Sequence, residues 1–168
     1  MQWDLITNII LATSIVTLAI FLCLGLYQWI SRKSLKKVDP ELLWIPLPLI
    51  LMGITYVIFE YVVVLNTRPN GSGEPSFPST HVMIVTTIFF LATMILPRYV
   101  KNKVLRVILE VIMVAMIGLT ATGRVLANMH WPVDVIGGIA FAFIFTEVYY
   151  VTYKKFKKNR RRNAKRVY

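Results

Sequence analysis

Five long apolar runs constrain this chain more than anything else in it. They are about Leu5–Ile30, Leu42–Asn66, Thr80–Leu96, Val104–Thr122 and Pro132–Tyr153. A helix crossing the hydrocarbon core of a bilayer needs roughly 20 mostly apolar residues. All five runs qualify, the third at the short limit. Without water, each backbone polar group must be satisfied inside the spanning structure, which leaves helices or a closed barrel. The runs lack the alternating polar positions of a barrel. The expectation is an all-α, polytopic membrane bundle of about five helices. Only 16% of the residues are charged, against about a quarter in soluble proteins.

The net charge of +11 is distributed in a telling way. Nine of the nineteen Lys and Arg lie in the tail from Lys154 to Arg166. Others are Arg32, Lys33, Lys36 and Lys37 after the first run, and Arg98, Lys101, Lys103 and Arg106 around the third-to-fourth junction. All flank apolar runs, which argues for membrane topology and against nucleic acid. Basic flanks face the cytoplasm, so the N-terminus is expected outside and the C-terminus inside. Residues 1–153 then form one transmembrane domain, and 154–168 a solvated basic cytoplasmic tail. Near anionic lipid such a tail gains about 1 kcal/mol per charge. Met1-Gln-Trp-Asp4 has no basic leader region, so the first run is kept as a span. The lone Cys23 allows no internal disulfide and is expected as a packing residue. Arg106 and Glu110 are spaced to pair along one helix. A multi-pass plasma-membrane protein follows.

Only Arg68 and Arg124 escape the cytoplasmic clusters. Under this topology both face outside, in segments 67–79 and 123–131. The first segment reads Thr67-Arg-Pro-Asn-Gly-Ser-Gly-Glu-Pro-Ser-Phe-Pro-Ser-Thr-His81. Ser79 stands at a natural N-cap, and a helix start offers N–H groups to an anion. The second reads Gly123-Arg-Val-Leu-Ala-Asn-Met-His-Trp-Pro-Val-Asp134. Two arginines, two histidines and an aspartate on one side suit a phosphoryl group. No cluster of carboxylates or cysteines suggests a metal, and no cofactor is expected.

These residues resemble the type 2 phosphatidic acid phosphatase superfamily. Its motifs are Lys-x6-Arg-Pro, Pro-Ser-Gly-His and Ser-Arg-x5-His-x3-Asp. Here Arg68-Pro69, Pro78-Ser79-Thr80-His81 and Gly123-Arg124 with His130 and Asp134 stand in that order. Tyr61 replaces the lysine, Thr80 the glycine and Gly123 the serine, and two spans rather than three precede the first motif. The resemblance implies a metal-independent lipid phosphate phosphatase acting through a phosphohistidine. In that reading His130 is the nucleophile, Asp134 accepts its other ring N–H, and His81 is the acid and base. Arg68, Arg124, Ser79 and Thr80 hold the phosphate. The substrate class is a polyprenyl phosphate or pyrophosphate, phosphatidic acid, phosphatidylglycerophosphate or lipid A phosphate. Two rivals are a lipid phosphotransferase and a non-catalytic lipid-phosphate binder. Partners are the substrate and membrane lipids, with homo-oligomerisation left open. Glu60 and Glu147 lie within spans and are secondary candidates. Tyr61, seven residues before Arg68, shares its helix face if span two continues that far.

Overall fold

The computed structural model describes residues 2–166, and side chains as far as residue 163. Val167 and Tyr168, the end of the expected tail, lie outside the described residues. The fold is helical: α1 (Gln2–Arg32), α2 (Pro40–Leu43), α3 (Pro46–Val57), α4 (Thr80–Tyr99), α5 (Lys103–Leu126) and α6 (Pro132–Arg166). A π-helical turn, Ile58–Val62, ends α3. Five segments are long and apolar enough to cross a membrane: α1, Pro40–Val62, α4, α5 and α6. Pro46 takes the first turn of α3, where its missing N–H is harmless.

Span two stops at Val62, short of the expected Asn66. Residues 62–65 read Val-Val-Val-Leu, and β-branched side chains favour extended backbone over helix. The chain leaves the bundle there to form the loop that carries Arg68. Tyr61 and Arg68 therefore do not share a helix face.

The shortest span is the centre of the bundle. In α4, 61% of the apolar window is buried, against 11–33% in the others. It packs against α1, α3, α5 and α6, and Val85, Phe89, Ala92 and Ile95 form its core stripe. The outward faces of α1 and α5 carry exposed Ile, Leu and Val, the lipid-facing surface of a membrane helix. Cys23 is on that surface, not in the core as expected. Most of α1 faces outward, so a mid-helix position there is more often lipid-facing than packed.

At the end opposite the N-terminus of α4, acidic groups tie the bundle together. Asp39 accepts from Arg98 Nε at 2.7 Å, Gln28 Nε2 at 2.9 Å and Tyr99 Oη at 2.9 Å. Arg32 lies 3.3 Å from its other oxygen. Burial pushes the Asp39 carboxyl up, but the hydrogen bonds from Arg98, Gln28, Tyr99 and Arg32 outweigh it and hold it well below the usual carboxylate range. Glu41 pairs with Lys157 at 2.5 Å, and Arg160 donates to the Val38 carbonyl at 2.9 Å. The tail is thus no free solvated segment. Its first turns continue α6, and among the described residues three of its basic side chains are engaged, Lys154 donating to the Tyr150 hydroxyl besides Lys157 and Arg160. Arg106 and Glu110 lie 3.7 Å apart as their spacing suggested.

Candidate active site

The N-terminal ends of α1, α4 and α6 and the C-terminal ends of α3 and α5 meet at one end of the bundle. The loop 63–79 folds over them. It is braced by a bridge between Thr67 and Pro75, and Gly71 and Gly73 adopt positive φ of 78° and 74° in its turns. Gly137 and Gly138 seat the loop on α6. A Cβ at Gly138 would lie 2.8 Å from the Ser79 carbonyl oxygen, and one at Gly137 would strike the Phe77 ring. This close approach lets the Ser79 N–H donate to the Asp134 backbone carbonyl at 2.9 Å. Two of the three motif segments are thereby joined.

His130 is buried, and its Nδ1 lies 2.8 Å from the Ser76 carbonyl oxygen. A carbonyl only accepts, so Nδ1 carries the proton and Nε2 the lone pair. Asp134 was expected to take this N–H, but its Oδ2 lies 3.7 Å away. The carboxylate is committed elsewhere: Oδ2 accepts the Trp131 backbone N–H at 2.8 Å and Oδ1 the Asn66 amide at 3.2 Å. Asp134 thus fixes the loop around His130 and acts on its ring through space. Burial, then Arg124, lower the His130 pKa to about 4, against the opposing pull of the Ser76 bond and Asp134. The ring is neutral at neutral pH.

The two arginines are each held from one side. Arg68 NH1 pairs with Glu74 at 2.7 Å, and Arg124 NH1 with Asp4 at 2.7 Å. Each leaves its Nε buried without a partner in the protein. The same is true of Ser79 Oγ, Ser76 Oγ and His130 Nε2. Buried polar groups are normally bonded. Here five of eight such orphaned atoms among the described residues belong to one cluster. Ser79 is the N-cap of α4 as expected, yet its hydroxyl makes no capping bond. His81 Nε2 lies 2.9 Å from Asn8 Oδ1. Thr80 and His81 border a cavity of about 330 Å³ between α1, α3 and α4, walled by Leu11, Leu49, Met52 and Tyr56. Among the described residues no three His, Cys, Asp or Glu side chains gather as metal ligands.

The PAP2 superfamily model matches residues 60–158, more than half of the chain. The chain belongs to the PAP2 superfamily. Its fold is similar to that of a transmembrane PAP2-type phosphatidylglycerolphosphate phosphatase from Bacillus subtilis, with a TM-score of 0.60 at 18% identity. The alignment covers 94% of this chain and 77% of that one. A comparison with curated proteins finds no match.

Against the PAP2 pattern, two departures now have physical accounts. At Gly123, where the pattern has a serine, α1 packs closely: a Cβ there would lie 2.7 Å from Thr7 Cγ2. Tyr61, in the place of the lysine, is 73% exposed and stacks edge-on against Tyr56. It adds nothing to the orphaned cluster. Glu147 is exposed, and neither it nor Glu60 bonds a motif residue among the described residues. Sequence reading missed Ser76, Asp4 and Asn8. Asp4 and Asn8 carried one weak signal, being polar residues in the first turns of an apolar span.

Proposed function

We propose that this chain is a metal-independent phosphatase of lipid phosphates that works through a phosphohistidine on His130. The observation that carries this reading is the cluster of buried, unpartnered atoms: two guanidinium Nε groups, two hydroxyls and one imidazole lone pair. The four donor groups suit the equatorial oxygens of a phosphoryl group, whose charge is the main thing to be stabilised. The lone pair on Nε2 attacks phosphorus, an N–P bond forms and the P–O bond to the lipid breaks. His81, cationic beside the bound phosphate anion, gives a proton to the leaving oxygen and is left neutral. Water then attacks phosphorus, His81 takes its proton, and the N–P bond breaks. The Ser76 carbonyl and the Asp134 charge favour the positive ring that forms.

A lipid substrate is supported by the apolar cavity beside Thr80 and His81. The site is assigned to the extracytoplasmic face of a plasma membrane, because the basic clusters gather at the other end of the bundle.

The test is phosphate release by purified protein in detergent from a panel of lipid mono- and pyrophosphates. Release that survives chelators and is blocked by vanadate is expected. Absence of release from every lipid, or release restored only by Mg2+ after chelation, overturns the reading.

A further inference from the structure

The family match begins at residue 60, yet the first two turns of α1 reach the site. Asn8 Oδ1 lies 2.9 Å from His81 Nε2. Asn8 Nδ2 donates to Asp4 Oδ2 at 3.4 Å. Asp4 Oδ1 accepts from Arg124 NH1 at 2.7 Å, and Thr7 Oγ1 stands 3.5 Å from the same nitrogen. An unbroken polar chain thus runs His81–Asn8–Asp4–Arg124 along one face of α1. Its direction follows from chemistry. An ionised carboxylate only accepts, so Asn8 must turn its NH2 toward Asp4 and its oxygen toward His81. That oxygen also only accepts, so the proton of neutral His81 sits on Nε2. His130, bonded through Nδ1 to Ser76, holds the opposite tautomer.

We propose that Asn8 is a positioning residue that keeps His81 in the Nε2–H tautomer. Nδ1 then carries the exchangeable proton: a cationic His81, protonated on Nδ1 when the phosphate anion binds, gives that proton to the leaving oxygen, and the neutral ring left behind takes one from water at the same atom. Asp4 sets the orientation of Asn8 and holds Arg124 at the same time, so α1 couples the acid–base group to a phosphate ligand. The inference deepens the phosphatase reading and rests on it for the proton-transfer role.

The experiment uses full-length protein labelled with 15N-histidine in detergent micelles. The chain has 2 histidines, and His81→Gln assigns them. The wild-type spectrum at neutral pH is expected to show one Nδ1–H and one Nε2–H imidazole, the latter His81. Asn8→Leu, close in shape but unable to accept, should erase the His81 preference and leave His130 unchanged. It should lower kcat on an alkyl lipid phosphate about 10- to 100-fold with KM within about twofold. On an aryl phosphate, whose leaving group needs no proton, the loss should be several-fold smaller. A wild-type His81 protonated on Nδ1 overturns the proposal without recourse to any variant. So does an unchanged His81 signal in Asn8→Leu, or an equal loss on both substrates. The expected tautomers in a protein that releases no phosphate would keep the Asn8 contact and sink the phosphatase reading instead.

Discussion

His130 sets the chemistry of the residue scale. Its pKa is lowered to about 4 by burial first and Arg124 second. In the proposed reaction the His130 imidazole must be neutral, so its attack is available above that value and lost as pH falls through it. The acid limb of kcat/KM, which reports the free enzyme, is expected near pH 4. A His130 imidazole whose 15N shifts titrate between pH 7 and 6 would show an ordinary histidine and contradict the buried ring. His130→Ala should cut turnover by at least about a thousandfold, with helical content by circular dichroism unchanged. Tyr61→Phe, by contrast, should leave kcat and KM within about twofold, because Tyr61 faces outward from the π-helical turn. The order and spacing of the motifs made His81, Arg124 and His130 legible in the sequence. The partner of the His130 ring was not. Asp134 sits four residues on and looks like the acceptor, but the Trp131 N–H and the distant Asn66 claim its oxygens. Sequence spacing does not show which of several nearby acceptors a ring will meet.

Elements position these residues, and α6 meets the start of α4 backbone to backbone. At Gly138 an added methyl would lie 2.8 Å from the Ser79 carbonyl oxygen and 3.2 Å from the Met83 nitrogen, both backbone atoms. Backbone cannot rotate aside as a side chain can. Gly138→Ala should therefore push α4 off α6, stretch the Ser79–Asp134 bond, and lower both thermal stability and kcat. Overpacking of this kind costs about 1–3 kcal/mol. At Gly137 the nearest atoms to an added methyl belong to the Phe77 side chain rather than to backbone, and Gly137→Ala should be milder in both measurements. Equal effects would show that the close approach at Ser79 is not what the glycine permits. The five spans themselves were plain in the sequence, since length and apolarity suffice for a membrane helix. Their ends were less so, because residues 63–65 continue the apolar run outside the helix. The docking of α1 was invisible: Asp4, Thr7 and Asn8 look like interfacial polar residues until their partners 73 to 120 positions away are known.

At the scale of the whole molecule the two ends do different work, and both can be read out. Single cysteines at Ser72 and Asn163, each in a Cys23→Ser background, test the sidedness. An impermeant reagent on intact cells should reach the first and spare the second; the reverse pattern would invert the topology. The clasp around Asp39 lies about 25 Å along α4 from His81, at 1.5 Å per residue. Asp39→Asn removes a charge that Arg98, Gln28, Tyr99 and Arg32 surround. Breaking a buried pair costs about 3–5 kcal/mol, and the lower end applies because the Arg98 side chain is 39% exposed. Tm in detergent should fall by about 5–10 °C. Because the folded carboxyl is held below its ordinary 3.8, its stabilisation is fully present above that value and fades as pH drops below it. The gap in Tm between wild type and Asp39→Asn should thus be constant above about pH 5 and narrow below about pH 4. At 25 °C the folded variant should keep kcat/KM within about threefold, since nothing at the site touches the clasp. A large loss of kcat at unchanged Tm would mean the clasp governs the geometry of the site across the length of α4 rather than the cohesion of the bundle.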